Sequence, residues 1–456
     1  MITFSKSIKG SSHDENGKPM QDWSEHLFLE ECQADILLVS DGHGSDKHFR
    51  SDRGAKFAVE AAKEGLVDFL KDFNPILPED TFRQRGIQGV KDTSHEDYTP
   101  HDEYEREFRQ LFENIKFRWC EKVVKDWAED APGDNELMSR NSQDKKMALS
   151  YYEKGREVVA YGCTLMAAVK TPNYWMAFQL GDGKCISFHA DGTWYEPIPW
   201  DSRCFLNITT SLCHEGSESF RYCYGNIECP CLFIGSDGMD DSYMPLDKLA
   251  EFYGVVIRVV VENGMEYATE QLEKMMPVIS EKGSHDDISI AFWLDDKVVL
   301  PLSKAILSLR LNTLENDSKD QETNKKEAES RRVEISERAK QLHQESGVYE
   351  KKRSELDLKL KKVQEDRKKA EEDFTVATFL FEDAKKNLDQ VVSVFDSLEK
   401  LSSENERAYE NHLKEVSAAE DMFKEIEKEI QAFEKKMSQD FEEMTNIRNI
   451  LISFGL

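Results

Sequence analysis

Ile36-Leu37-Leu38-Val39-Ser40-Asp41-Gly42-His43-Gly44 is a short apolar run of strand type that stops abruptly on a carboxylate and two glycines. The same arrangement recurs along the chain. Leu232-Phe233-Ile234 leads into Gly235-Ser236-Asp237-Gly238-Met239-Asp240-Asp241, and Trp175 to Leu180 leads into Gly181-Asp182-Gly183. Ser284-His285-Asp286-Asp287 opens the run Ile288-Ser289-Ile290-Ala291-Phe292. Like charges gathered without partners repel, so a cluster of these side chains needs protons or a cation. Carboxylate oxygens, with glycines that let the backbone come close, suit hard ions such as Mg²⁺ or Mn²⁺. Each Asp-Gly taken singly is a turn signal. Phe188-His189-Ala190-Asp191-Gly192-Thr193-Trp194 reads as that and nothing more, a hairpin turn between two strands.

Around these runs the composition sets limits. The chain has 456 residues, a formal net charge of −29 and 33% charged residues. A surface so acidic is unsuited to neutralising phosphates along a nucleic acid, so no nucleic-acid partner is expected. The longest apolar stretches, such as Val255 to Val261 with Arg258 inside it, are too short to span a bilayer, so no membrane association is expected. The first residues lack the apolar core of a secretory signal. Nine cysteines at irregular spacings suit reduced thiols and a cytoplasmic location. Cys213-His214 with Cys223, Cys229 and Cys231 admits a zinc reading, but Cys229 and Cys231 suit one face of a strand as small buried hydrophobes. His101 to Glu105 and Glu129-Asp130 read as solvated faces of a helical region at about 100–130, within a long segment, 72–158, that reads as an insertion.

A boundary near residue 300 separates two kinds of chain. Residues 1–300 mix β-rich runs with Gly and Pro punctuation; residues 301–456 have no proline after Pro301 and are rich in Glu, Lys and Leu. Val416, Phe423, Ile430, Met437, Met444 and Leu451 recur every seventh residue, with Ala419, Ile426, Phe433 and Ile447 at the +3 positions and Asp440 the one break. That is a coiled-coil seam. A weaker series runs Ile335, Leu342, Tyr349, Leu356, Val363; Leu388, Val391, Phe395 and Leu398 mark a middle helix, and Ser402-Ser403-Glu404-Asn405 reads as a break with a fresh N-cap. The stripe must be covered by an antiparallel hairpin of this same region, by self-association or by a partner protein.

In their order and spacing the motifs Gln21-Asp22, Asp41-Gly42-His43-Gly44, Gly162-Cys163-Thr164, Gly181-Asp182, Ser236 to Asp241 and Asp286-Asp287 resemble those of the metal-dependent Ser/Thr protein phosphatases of type 2C, in a bacterial-like form, over about residues 8–296. The resemblance implies an α+β fold: a four-layer α-β-β-α sandwich of two antiparallel sheets with metals at one edge, here in residues 1–300, followed by a helical coiled-coil tail in 301–456. It implies hydrolysis of phosphoserine and phosphothreonine in a phosphoprotein substrate by a metal-bridged water, with Mg²⁺ or Mn²⁺ as two ions and a third held more weakly. By motif position, Asp41 bridges two metals and the Gly42 carbonyl binds one. Asp237 and Asp286 complete the first metal, Asp182 and Asp241 support the third ion, and Asp22 is the second member of the N-terminal acidic pair. His43 stands where some members place a general acid, and an imidazole near its reference pKa of about 6.5 is partly protonated near neutrality.

Two departures accompany the resemblance. Gln21 stands where many members have Glu, and Gly17 stands where many have a phosphate-binding arginine, which leaves Lys18 or His13 for that contact unless both are plain loop residues. Two further readings follow from these departures and from the tail: a catalytically weak phosphatase-like binding module, or a coiled-coil scaffold that carries the domain as a passenger.

Overall fold

The computed structural model describes residues 1–86, 89–92, 98–99, 103–133, 156–205, 208–376 and 383–453. The chain divides into two compact units, Met1–Leu309 and Arg310–Leu456. Along the first run β1 (Ile2–Ile8), α1 (Ser11–Glu15), β2 (Trp23–Leu29), β3 (Ala34–Ser40), α2 (Ser51–Asp72), β4 (Phe82–Gly86), β5 (Gly89–Asp92), β6 (Tyr98–Thr99) and α3 (Glu105–Glu129). They are followed by β7 (Leu165–Lys170), β8 (Trp175–Leu180), β9 (Lys184–Phe188), β10 (Trp194–Tyr195), β11 (Arg221–Gly225) and β12 (Cys231–Gly235). Helices α4 (Asp237–Asp240), α5 (Leu246–Asn263) and α6 (Met265–Lys282) and strand β13 (Ile288–Leu294) complete it.

The strands form two antiparallel sheets, one in the order β1-β13-β12-β9-β10 and one in the order β2-β3-β7-β8-β11-β4-β5-β6. Strand alternation explains why β3 is apolar throughout. Ile36 and Leu38 pack with Ala58, Ala62, Phe112, Ile115 and Trp119 of α2 and α3. Leu37 and Val39 point the other way, to Leu232, Ile234 and Trp293 of the second sheet. With both faces covered there is no polar side to write into the sequence. On the far side Phe4, Phe233 and Phe292 meet Tyr253, Ile257, Leu272 and Met276 of α5 and α6. The layers are therefore helix, sheet, sheet, helix, as the resemblance implies.

Three local expectations fare differently. Asp191-Gly192 is a hairpin turn: Asp191 Oδ1 accepts from the Thr193 N–H at 2.9 Å, and β9 pairs with β10 across it. Cys229 and Cys231 do not share a face. Cys231 lies toward α5 and α6, whereas Cys229 packs with Cys185 and Cys223 between the sheets, because Pro230 separates it from the first residue of β12. No two of the nine cysteines are bonded to each other. Glu129 and Asp130 lie on a solvated face as expected, where Asp130 also pairs with Arg53 at 2.7 Å; of the acidic run before α3, His101 and Asp102 lie outside the described residues.

Helix α7 (Val299–Val376) adds Val299 and Leu302 to the α5–α6 core of the first unit. Its remainder makes up the second unit with α8 (Asp383–Ser453). Lys325 pairs with Glu434 at 3.0 Å, Arg331 with Glu429 at 3.3 Å and Arg353 with Glu406 at 3.1 Å, so the two helices run antiparallel. Of the seam residues, Val416, Ile426, Ile430, Met444, Ile447 and Leu451 are buried. The expected break at Ser402 is absent and α8 continues through it. Ser and Asn are weak helix formers but not breakers, and without Gly or Pro an extended helix propagates past them.

Asp440, the polar interruption of the seam, is buried and accepts a hydrogen bond from Gln321 Nε2 at 3.0 Å. Asp440→Ala removes one half of that pair and should lower the stability of the helical unit by about 1–3 kcal/mol. Replacing both residues by leucine should recover most of that loss. Thermal melts followed by far-ultraviolet circular dichroism read the difference; equal melting of Asp440→Ala and the parent would show that the pair contributes nothing.

Candidate active site

One end of the sandwich collects the acids. Asp41 leaves the C-terminal end of β3, Asp182 sits in the turn between β8 and β9, Asp237 follows β12, and Asp286-Asp287 precede β13. Gln21-Asp22 stand just before β2, whose first residue pairs with Ser40. Asp41 is held on both sides of its peptide: its N–H donates to Thr164 Oγ1 at 3.0 Å and its carbonyl accepts from the Thr164 N–H at 2.8 Å. The next residue must be glycine, because a Cβ on Gly42 would lie 2.7 Å from the carbonyl oxygens of Gln21 and Ser51. Gly238 is constrained in the same way, with an added Cβ 2.0 Å from the Asp287 carbonyl oxygen. These contacts draw the loops together. Asp41, Asp182 and Asp237 each offer a carboxylate oxygen within 4.8 Å of the other two.

Basic side chains act on this cluster only without a salt bridge, Arg221 on Asp182 and Lys184 on Asp240 and Asp241. Among the described residues none of Asp22, Asp41, Asp182, Asp237 or Asp241 forms a salt bridge. Burial and then the neighbouring acids push Asp22 and Asp41 well above the ordinary carboxylate range. Burial with Asp182 beside it pushes Asp237 up to about 7. Asp182, Asp240 and Asp241 are raised too, first by burial. Buried polar atoms here have no hydrogen-bond partner: Gln21 Oε1, Asp22 Oδ2, Asp182 Oδ1, Asp240 Oδ1 and His43 Nε2. Unpartnered buried oxygens on several carboxylates are the donor set a hard divalent cation takes, so these residues fit Mg²⁺ or Mn²⁺.

The expected ligand Asp286 stands apart from that cluster. The Asp286 side chain is 55% exposed and lies at the rim, where its charge still raises Asp237 and Asp241. Its neighbour Asp287 turns inward and accepts from the Gly10 N–H at 2.6 Å, the Gln21 N–H at 2.5 Å and His13 Nδ1 at 2.9 Å. Burial alone would raise Asp287, but these donors outweigh it and hold the group below its usual range. His13, expected to be either a phosphate contact or a plain loop residue, is neither. It is buried and tied to Asp287, and that hydrogen bond raises its pKa against the effect of burial.

Lys18 is exposed and donates to the Gly44 carbonyl at 3.1 Å. It borders a cavity of about 300 Å³ that Gln21, Arg50 and Arg53 also line. His43 differs from expectation in its charge: burial, with His48, His214 and Lys47 adding to it, pushes it down to about 3. It is therefore a neutral imidazole at pH 7, not a partly protonated one. The sequence reading passed over Asp240 and the Asp287 clasp. The doublets Asp240-Asp241 and Asp286-Asp287 were the available signal, but spacing does not tell which member of a doublet turns inward.

The profile of the protein phosphatase 2C family matches residues 9–277, more than half of the chain. The chain belongs to the protein phosphatase 2C family. No curated protein matches it. Among solved structures it is similar to a bacterial serine phosphatase at 13% identity, with a TM-score of 0.39 over 65% of this chain and 98% of that one. Serine/threonine phosphatase Stp1 from Staphylococcus aureus is 12% identical, with a TM-score of 0.38 over 64% of this chain and 94% of that one. RsbX in complex with magnesium is 12% identical, with a TM-score of 0.32 over 64% and 92%.

The charge arrangement of this family member has a measurable cost when no cation is bound. The unfolded chain holds Asp237 near about 3.9, and the folded one raises it to about 7. The folded state thus binds the extra proton, and the stability this lends below about pH 4 is lost as pH rises through about 7. In EDTA the chain should melt progressively earlier, relative to the Mn²⁺-loaded chain, between about pH 5 and about pH 8. Asp237→Asn should raise the metal-free melting temperature at about pH 8 and shrink the response to Mn²⁺. A gap between loaded and metal-free chains that is constant over that range would contradict the electrostatic account.

Proposed function

We propose that this chain is a Mg²⁺- or Mn²⁺-dependent protein-serine/threonine phosphatase, with residues 1–300 as the catalytic domain and residues 301–456 as a coiled-coil arm for a partner protein or self-association. What carries the reading is the convergence of Asp41, Asp182 and Asp237 with no cationic partner, in a chain of the phosphatase 2C family. Asp41, the Gly42 carbonyl, Asp237 and Asp286 would hold the first ion. Asp22 and the neutral amide of Gln21 would support the second, and Asp182 and Asp241 a third. When bound, such ions neutralise the phosphoryl oxygens and lower the pKa of the attacking water.

The chain's own groups do the rest. Thr164 and the constraint at Gly42 fix Asp41, so that carboxylate is held in place ahead of any cation. Lys18, anchored on Gly44, offers its ammonium to the phosphate of the substrate. His43 is neutral and its Nε2 is unpartnered, so it acts as a hydrogen-bonding group toward the leaving serine or threonine oxygen. A neutral imidazole carries a single N–H, so this role needs the tautomer with the proton on Nε2.

Turnover of a phosphoserine peptide and of p-nitrophenyl phosphate, with Mn²⁺ or Mg²⁺ and with EDTA, tests the proposal on the full chain. Asp41→Ala and Asp237→Ala should abolish hydrolysis of both, and Asp286→Ala should do so unless raised Mn²⁺ compensates. Activity surviving EDTA, or surviving Asp41→Ala with Mn²⁺ present, would sink it. His43→Ala should slow the peptide by about 10²–10³. The nitrophenyl ester should be slowed less, since its leaving group needs little help; equal losses remove His43 from the leaving-group side.

A further inference from the structure

Cys213-His214 does not join the other cysteines of its stretch, because Cys223, Cys229 and Cys231 lie in the apolar layers of the sandwich. It meets His48. One ligand atom from each of His48, Cys213 and His214 lies within 4.8 Å of the other two. His48 ends the 3₁₀ turn Asp46–His48, just past the Asp41 loop. The 211–214 turn is fixed beside it: the Leu212 N–H donates to the Cys163 carbonyl at 3.0 Å, and Ser211 Oγ donates to the same oxygen at 3.2 Å. Cys163 in turn faces Gly42 across a β-bridge. Both ligand-bearing segments are therefore anchored to one short piece of backbone, which is how a preorganised site is built.

The chemistry of each group suits a soft cation. His48 Nδ1 is hydrogen-bonded to the Val159 carbonyl. A carbonyl can only accept, so Nδ1 carries the proton and Nε2 keeps its lone pair, the second-shell arrangement of a metal-binding histidine. Burial pushes His48 down to about 4, so it is neutral and has no proton to lose at pH 7. Its ring centroid is 6.1 Å from that of His214, which is exposed and gives the site an entrance. Tetrahedral Zn²⁺, with bonds of about 2.0–2.1 Å to nitrogen and 2.3 Å to sulfur, sets its ligand atoms about 3.3–3.7 Å apart. Thiolate and imidazole select such an ion over Mg²⁺. Two features oppose it: Lys47 Nζ lies 3.1 Å from His214 Nε2 and must swing away, and burial raises the Cys213 thiol, which the cation must offset.

We propose that His48, Cys213 and His214 form a binding site for a soft divalent cation of the Zn²⁺ class, with three protein ligands and a fourth position open to water, separate from the carboxylate centre. Binding converts the Cys213 thiol to a thiolate and releases its proton to solvent. The His48 ring centroid is 5.0 Å from that of His43, so an ion here bears on the loop that carries Asp41.

Co²⁺ is the probe, because thiolate ligation gives it a near-ultraviolet charge-transfer band that carboxylate ligation does not. Full-length Asp41→Asn/Asp237→Asn protein, with its carboxylate centre weakened, should bind Co²⁺ with that band and lose it to added Zn²⁺. Cys213→Ser should abolish the band, His48→Ala and the exposed His214→Ala should weaken binding by about tenfold or more, and Lys47→Met should tighten it. Absence of the band in the parent, or its survival in Cys213→Ser, overturns the site. If His48→Ala loses its native circular dichroism, His214→Ala decides. The readout does not use turnover, so it stands or falls apart from the phosphatase assay.

Discussion

At the end of the sandwich Asp22, Asp41, Asp182 and Asp237 repel one another at short range. Proteins rarely bury several unpaired acids together, because desolvation and mutual repulsion both favour the neutral forms. The surrounding structure holds them there all the same. Two sheets with both faces covered supply rigid strand ends, and the acids project from those ends, where the backbone has just left its ladder of hydrogen bonds. The carboxylates are thus assembled ahead of any ligand, and the energy of their repulsion is what a cation relieves on binding.

Close backbone approach makes this assembly possible. Gly42 lies against Gln21 and Ser51, and Gly238 lies against Asp287; a methyl group at either position would push two site loops apart. Asp287 works in the opposite sense to its acidic neighbours. It is well supplied with donors, is held ionised, and ties the Gly10 and Gln21 segment to the start of β13. One member of the Asp286-Asp287 doublet is therefore structural and satisfied, and the other stands exposed at the rim. The contrast with Asp22 and Asp182, which each keep a buried oxygen without a hydrogen-bond partner, separates groups that hold the fold from groups that await a partner.

The layer order of the fold was legible because uniformly apolar runs such as Ile36–Val39 and Leu232–Ile234 demand cover on both faces. The positions of Asp41, Asp182 and Asp237 were legible because each ends such a run. What could not be read was decided by side-chain surroundings. His43 has a sequence position that suits a proton donor, yet its charge is set by burial and by His48, His214 and Lys47, two of which are its near neighbours in sequence and one of which is far away. His13 reads as a phosphate contact or a loop residue because nothing nearby in sequence foretells Asp287, 274 residues away. The alternation of Cys229 and Cys231 failed at Pro230, and the break expected at Ser402 failed because local capping residues do not interrupt a helix that its partner already supports. In each case but the cysteine pair, a short-range rule met a long-range contact.

The pairing of β1 with β13 brings Ile2–Ile8 beside Ile288–Leu294, and Asp287 repeats the join one loop further on. During synthesis β1 therefore stays unpartnered on that edge until β13 has been made. Contacts so distant along the polymer are slow to form, and the acidic pocket cannot close before the last of them arrives. Translation products that stop short of β13 thus lack the strand that ties this edge together.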